Sequence, residues 1–457
     1  MKKLLIINIE TKAREFNSRL MIAHEALKRN YEVLIGAQKD IIEILGHLPK
    51  GIFFDKSISK NKFKRLKKIR NLGHKIVSLD EEGMASQNNQ HFYLKQRFSK
   101  DTLELTECLF TWGENEKNLI LSKYPEYENK IRNTGNPRIE VWKPKYSELH
   151  KNEIEQIQKK YEDFILITSN FASIQHARGD EFLKEQETNY NRIETKKDEE
   201  ISNNKKNFLK RVYLAFLDMI KFVAKSLPDR TIVIRPHPGD NIKTWKENFK
   251  NYKNVFIEYE YSATPWIKAS KCMIHSSCTT GIEGYLSKKP LFSFLPYKDN
   301  AFVNFISNSL SDVCDTKEQI LEKISCVFDQ KYEINPLREE KEKKTTPILE
   351  NFNNFKSVTN ILDQIDDIKV PFYSEINNFD LKIFQTKKIF KNKIKKIFNN
   401  EEKVDSYNNQ KMPGLSLEEV ILKLKIIERI NSLLNKNRQF NVSELSDNVF
   451  LLKKIRV

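Results

Sequence analysis

Short, continuous apolar runs, each parted from the next by a stretch of helical periodicity, occur in two series along the 457-residue chain. The first series comprises LLIINI (4–9), EVLIGA (32–37), GIFFD (51–55), HKIVSLDEEG (74–83), CLFTWG (108–113) and KIRNTGNPR (130–138). Helices are predicted between them over 16–28, around 40–46, over 60–71 and over 114–123. The second series comprises DFILITSNF (163–171), TIVIRPHPGD (231–240), NVFIEY (254–259), KCMIHSSCTTGIEGYLSKKP (271–290) and LFSFLPY (291–297), with helices over 207–226 and near 265–270. Runs that do not alternate with polar residues suit strands covered on both faces. Strands joined through helices of this length pair in parallel, which yields doubly wound sheets.

The expected fold class is therefore α/β, with two Rossmann-like domains facing a cleft, one over 1–145 and one over 146–370. A chain of this length exceeds one ordinary core. Residues 143–160 read as a charged connector and 181–206 as a polar surface insertion. Beyond 365 the pattern fades, and 371–457 reads as a basic helical tail.

Five cysteines (Cys108, Cys272, Cys278, Cys314 and Cys326) are scattered without paired spacing. That pattern argues against a disulfide framework or a zinc site and for a reducing compartment. The N-terminus starts like a signal peptide, but its apolar run meets Glu10, Lys12 and Arg14 with no small-residue cleavage site, so it reads as a buried strand. No stretch reaches the roughly 18–20 apolar residues of a membrane span. A cytoplasmic protein is expected, soluble or peripheral on the inner face of the membrane. The net charge of +17 suits an acidic substrate, anionic lipid or nucleic acid, or simply a Lys-rich composition. With no RNA-module or zinc-finger pattern, nucleic acid is not an expected partner.

In open α/β sheets ligands bind beyond the carboxyl ends of strands, and the unusual residues of this chain fall there. Arg235-Pro236-His237-Pro238-Gly239-Asp240 closes an apolar run, where two prolines end the ladder. Arg235 and His237 can then donate charge-assisted hydrogen bonds to a phosphate, although a capped turn with a satisfied histidine accounts for His237 equally. His275-Ser276-Ser277-Cys278-Thr279-Thr280-Gly281-Ile282-Glu283-Gly284 places small hydroxyl residues and Gly281 at a predicted helix start, which favours an anion. Glu283 could accept from ribose hydroxyls; ordinary N-capping is the alternative. Ser169 and Asn170, following Thr168, would line the same edge from the neighbouring strand end. In the first domain Asp80-Glu81-Glu82-Gly83 puts three carboxylates on one strand-end loop. One of them could act as nucleophile or base; a solvated acidic turn is the alternative. Arg138 could meet a substrate carboxylate or form a structural salt bridge.

With these residues in view, the chain resembles the bacterial surface-carbohydrate (surface polysaccharide) biosynthesis proteins of GT-B type. The resemblance runs over most of residues 1–365 and rests on MIAHEALKRNYEVLIG, SLDEEG, FTWGENEK, TGNPR, IRPHP and HSSCTTGIEG in that order. The pairing of a His-Pro motif with a later serine-rich motif is also similar to CMP-sugar-using GT-B enzymes, namely certain sialyltransferases and the bacterial β-Kdo transferases. That resemblance implies His237, Pro238, Ser276 and Ser277 at the phosphate of a CMP-activated acidic sugar, with His275, Thr279 and Thr280 in the same loop. In the retaining Kdo transferases a Glu-Asp-Gly turn supplies an aspartate nucleophile. The triplet here is Glu81-Glu82-Gly83, so Glu82 takes that place, with Asp80 as rival. The resemblance further implies metal independence and no cofactor beyond the nucleotide-sugar donor as co-substrate.

The implied function is glycosyl transfer from a nucleotide-sugar to a glycan or lipid-linked acceptor. A teichoic-acid-type CDP-alcohol phosphotransferase, a UDP-sugar 2-epimerase and a non-catalytic scaffold of GT-B shape share parts of this pattern. Residues 381–398 place Phe390, Ile394, Ile397 and Phe398 on one helical face among seven lysines. Such a segment suits an anionic membrane surface, or a helix packed on the core with a solvated lysine face. The stretch 416–434 reads as another amphipathic helix.

Overall fold

The computed structural model describes residues 2–83, 90–189, 193, 195–299, 302–303, 305–334, 338–373, 376, 411–431 and 440–455. The chain divides into two compact units, Met1–Gly83 with Arg97–Val141 and Leu349–Val457, and Met84–Gln96 with Trp142–Ile348. Each unit is built on one sheet, so the expected pair of Rossmann-like domains is observed.

The first unit contains β1 (Lys3–Ile9), β2 (Tyr31–Ala37), β3 (Ile52–Asp55), β4 (Lys75–Leu79), β5 (Cys108–Thr111) and β6 (Ile131–Asn133). These six pair in parallel in the order β2-β1-β3-β4-β5-β6. Leu4, Leu5, Ile6, Val33, Leu34, Ile52, Phe53, Ile76 and Val77 are wholly buried, as their apolar runs require of strands covered on both faces. The strand order reverses between β1 and β3.

The second unit contains β7 (Phe164–Thr168), β8 (Thr231–Arg235), β9 (Val255–Ile257), β10 (Cys272–His275), β11 (Leu291–Phe294) and β12 (Asp312–Cys314). They form a parallel sheet in the order β12-β11-β10-β7-β8-β9. Counted from its own first strand this is the 3-2-1-4-5-6 Rossmann order read from the far edge, with its switch point between β7 and β10. Trp245, Phe171, Phe216, Met219, Ile220 and Ile234 belong to the apolar core on this sheet.

Three expectations are corrected. The described residues within 349–457, a stretch assigned by sequence partly to the second domain and partly to a helical tail, return to the first unit. There β14 (Val449–Lys454) pairs antiparallel with β2, and β13 (Phe440–Ser446) with β14, making an eight-stranded sheet. Val449–Leu452 is a buried apolar run too short for its period to separate strand from helix. The expected helix near the C-terminus does form, over Leu417–Asn431. It docks on helix Lys12–Lys28 through Lys12–Glu419 at 2.6 Å and a hydrogen bond between His24 and Glu428.

Within the polar stretch 181–206 the described residues are largely helical, and the helix expected over 207–226 starts earlier. Helix Gly179–Asn189 is followed by Lys196–Ser226, which starts well before the expected residue 207. A capping box of Thr195 with Asp198 fixes that start, and only the later turns carry the buried stripe of Phe208, Val212, Phe216, Ile220 and Val223. The helix expected over 16–28 likewise starts at Lys12, because the buried Glu15 carboxylate accepts from the N–H groups of Glu10 (3.0 Å) and Thr11 (3.1 Å). Residues 381–398 lie outside the described residues. Among the described residues no helix is long and apolar enough to cross a membrane.

Candidate functional site

At the switch point of the second sheet, the loops after β7, β8 and β10 are tied together by side chains. The hub is Ser169, which follows β7. Its hydroxyl donates to Asp240 Oδ2 at 2.5 Å and accepts from the His237 N–H at 3.0 Å. Asp240, wholly buried, also accepts from Trp245 Nε1 (3.1 Å) and the Phe171 N–H (3.2 Å). Burial pushes its carboxyl up to about 6 against the pull of these donors. On the other side, the Cys278 thiol lies 3.9 Å from the Ser169 carbonyl, and the hydroxyls of Thr168 and Thr280 meet at 2.8 Å. Sequence reasoning found the strand ends but gave Asp240 no role. Its place beside two prolines was the available signal.

Arg235 ends β8 inside this cluster. It is 6% exposed, donates to the Tyr261 carbonyl at 2.5 Å, and lies 5.6 Å from the centroid of the Tyr259 ring. Its Nε has no hydrogen-bond partner, and among the described residues no carboxylate forms an ion pair with it. Burial lowers the pKa of this guanidinium, with Tyr259 and Glu283 only partly offsetting the effect. A buried cation that is only partly offset is costly unless an anion completes it. His237, next along, is exposed. Its Nδ1 accepts from the Gly239 N–H at 3.0 Å, which places the ring proton on Nε2 as a donor. Asn170 is exposed and Pro238 half-buried at the same edge.

The serine-rich loop departs from the expected arrangement. His275 is wholly buried, with Nε2 2.8 Å from Ser311 Oγ and Nδ1 accepting from the Cys278 N–H at 3.3 Å. Burial depresses its pKa to about 3, so it is a neutral brace rather than a phosphate ligand. Gly281 is required there because a Cβ would stand 2.5 Å from His275 Nε2. Helix Thr280–Leu286 is only seven residues long, and the N–H groups of Gly281 and Ile282 already donate to the Cys278 and Thr279 carbonyls at 3.0 and 3.1 Å. The positive charge at this edge therefore comes from Arg235, with His237 adding a neutral Nε2 donor, not from a helix start. Glu283, expected to face a ribose, is buried and accepts from the Thr264 hydroxyl. Ser276 is nearly buried, Thr279 is exposed, and Ser277 is half-buried with a φ of 50°.

In the first unit, the three carboxylates after β4 have three different fates. Asp80 is buried and held by Arg97, whose Nε donates to its Oδ2 at 2.7 Å, while the Glu82 N–H donates to its Oδ1 at 2.8 Å. Glu81 is buried between Arg19 (2.9 Å) and Arg138 (3.4 Å). Arg138 also stacks over Trp112, the salt-bridged arrangement rather than an open carboxylate receptor. Glu82 alone reaches solvent: its side chain is 49% exposed, 3.3 Å from Arg14 and 4.0 Å from Arg97. Enclosure of the carboxyl opposes ionisation, but the guanidinia of Arg97 and Arg14 outweigh it and hold the group well below the ordinary range. The basic partners Arg14, Arg19 and Arg97 carry no local sequence signal. Among the described residues no group of three or more His, Cys, Asp or Glu side chains could hold a metal ion.

Fold and site together define a two-unit Rossmann-type α/β protein with a carboxylate-free buried arginine at the switch point of its second sheet. No family model and no curated protein matches the chain. Among solved structures it is similar to UDP-GlcNAc 2-epimerase of Methanocaldococcus jannaschii in complex with UDP-GlcNAc and UDP, at 15% identity over 80% of this chain and 99% of that one, with a TM-score of 0.49. A putative UDP-N-acetylglucosamine 2-epimerase from Listeria monocytogenes matches at 12% identity over 82% of this chain and 100% of that one, with a TM-score of 0.49. Anabaena Alr3699/HepE in complex with UDP matches at 10% identity over 80% of this chain and 100% of that one, with a TM-score of 0.39.

Proposed function

We propose that this chain is a nucleotide-sugar enzyme, a glycosyltransferase of surface-polysaccharide assembly whose second unit holds the donor phosphate at the ends of β7, β8 and β10. The observation that carries the reading is Arg235, a buried cation without a carboxylate partner at a Rossmann switch point. A phosphate would supply the missing counter-charge. His237 would add a second donor through Nε2, and the Ser276-Ser277 loop would add hydroxyls.

In glycosyl transfer the bond between the anomeric carbon and the phosphate oxygen breaks, and the electron pair leaves with the phosphate. Arg235 and His237 would stabilise that charge as it develops, by electrostatic preorganisation. The acceptor hydroxyl bonds to the anomeric carbon and gives up its proton. Glu82, ionised and exposed but held too acidic to be an effective base, is the carboxylate of its turn suited to attack the sugar carbon, with the acceptor's proton passing to the departing phosphate. The donor we propose is a CMP-activated acidic sugar such as Kdo, on the resemblance of His237-Pro238 paired with Ser276-Ser277 to CMP-sugar transferases. The acceptor is a glycan or a lipid-linked glycan. A lipid-linked acceptor fits the basic 381–398 segment at an anionic membrane surface, and sedimentation with phosphatidylglycerol vesicles, with and without that segment, tests this.

The experiment is calorimetric titration of the whole chain with CMP, CDP, UDP and GDP, alongside His237→Ala. Selective CMP binding that is lost in the variant supports the donor assignment and leads to turnover with CMP-Kdo. Preference for UDP or GDP sinks the CMP assignment while keeping the nucleotide site. Binding of none of the four overturns the enzyme reading in favour of a scaffold.

A further inference from the structure

Ser277 follows β10 with a φ of 50°, in the left-handed region that a non-glycine residue occupies only when its surroundings hold it there. What holds it is a buried relay. Ser293, at the end region of β11 and wholly buried, donates through Oγ to Asn308 Oδ1 at 2.8 Å. Asn308, 7% exposed on helix Phe305–Leu310, donates through Nδ2 to Ser277 Oγ at 3.0 Å.

The direction of this relay matters chemically. With its oxygen taken by the Ser293 hydroxyl, the Asn308 amide presents its NH₂ to Ser277, and an amide NH₂ can only donate. The Ser277 oxygen is thereby occupied as an acceptor, and its own proton is left to point away from Asn308. A hydroxyl in that state offers a ligand a donor, which a phosphoryl oxygen accepts. With the amide reversed, Ser277 would spend its proton on Asn308 and present lone pairs to the ligand, which repel an anion. The same helix and the turn after it brace the other side of the loop, since Ser311 Oγ meets His275 Nε2 at 2.8 Å and donates to the Ser307 carbonyl at 2.6 Å.

We propose that Asn308 is a positioning residue which accepts from Ser293, donates to the Ser277 oxygen and so leaves the Ser277 hydroxyl proton for a phosphoryl group. This rests on the nucleotide reading of the second unit and names the device by which that edge distinguishes a phosphate from a neutral ligand. It assigns a role to a residue distant in sequence from both the His-Pro and the serine-rich motifs.

The test is a double-mutant cycle read by calorimetry, with CMP as the phosphate-bearing probe, cytidine as its phosphate-free control, and UDP with uridine as a second pair. Asn308→Asp turns the donor into an acceptor at nearly constant shape, so CMP binding should weaken roughly ten- to a hundredfold while cytidine changes less than about threefold. Ser277→Gly removes the hydroxyl at a position whose φ suits glycine, so it should keep the fold and lose a similar factor for CMP. In the Ser277→Gly background, Asn308→Asp should cost clearly less than it does in the wild type, because only the direct repulsion between the new carboxylate and the phosphate remains. The inference is overturned if either single variant binds CMP as the wild type does, or if cytidine weakens in parallel. It is also overturned if the two losses simply multiply. Should Asn308→Asp fail to fold, Ser277→Gly with CMP and cytidine still decides it. Failure of the wild-type chain to bind any of these nucleotides instead strikes the nucleotide reading.

Discussion

Ser169 and Asp240 share one short hydrogen bond, 2.5 Å from hydroxyl to carboxylate, and through it the strand end of β7 is locked to the His-Pro turn after β8. Because the Ser169 oxygen also accepts from the His237 N–H at 3.0 Å, the backbone that presents His237 depends on a buried acid 71 positions from Ser169.

Asp240 should leave a pH signature. Its folded-state pKa, about 6, lies above the ordinary value of 3.8. The native state therefore binds its proton more tightly than the unfolded chain does. This group's contribution is most favourable near pH 4 and is lost as pH rises through about 6, on the order of 2–3 kcal/mol in full. Asp240→Asn places an NH₂ against groups that all donate, so it should be less stable than wild type at pH 7.5. The gap should widen at pH 5, as urea unfolding would measure; a pH-independent gap would refute the assignment.

Replacing Arg235 by Met removes a buried cation that Glu283 offsets only in part, together with its hydrogen bond to the Tyr261 carbonyl. Unliganded stability should change by less than about 1 kcal/mol, or rise. Nucleotide affinity should fall at least roughly tenfold. Melting curves with and without CMP and UDP check both halves; a large loss of unliganded stability would mean that the Tyr261 carbonyl and the Tyr259 ring hold Arg235 as a structural cation rather than a ligand's partner.

Asp80 and Glu82 should separate stability from chemistry. Asp80→Asn weakens the buried pair with Arg97 and should cost about 2–3 kcal/mol of unfolding free energy. Glu82→Gln, at a half-exposed position, should cost under about 1 kcal/mol and abolish turnover once the donor is in hand. Equal stability losses in the two variants would contradict the burial difference between them.

Gly36 on β2 is a test of the returning C-terminal strand. A Cβ there would lie 2.2 Å from the Asn448 carbonyl oxygen and 2.8 Å from Val449 Cα. Gly36→Ala should push β14 from β2 and cost at least about 2 kcal/mol, with faster amide exchange over Val449–Leu452 than over β1. Unchanged exchange would mean that the hairpin is held by the helix Leu417–Asn431 alone.

Much of the fold was legible because its strands are continuous apolar runs. The positions of Arg235, His237 and Ser169 at strand ends followed from the prolines that stop β8 and from the Rossmann rule about where ligands sit. The register of 449–454 was not legible, since the four-residue apolar run Val449–Leu452 is equally a piece of helix until β2 is known to have an open edge. His275 and Glu283 stood beside Ser276 and Thr280 in one motif, yet the first is a neutral brace against Ser311 and the second faces Thr264. Nothing local distinguishes a polar side chain aimed at solvent from one aimed at another loop.

By itself the sequence determined two parallel sheets and the strand ends that carry the polar motifs, because apolar periodicity and proline act locally. Only the tertiary structure decided which of Asp80, Glu81 and Glu82 is open, which histidine is neutral, and that Asn308 orients Ser277. Those outcomes depend on Arg97, Arg19, Arg14, Ser311 and Ser293, whose approach is set by long-range packing and leaves no trace in the neighbouring residues.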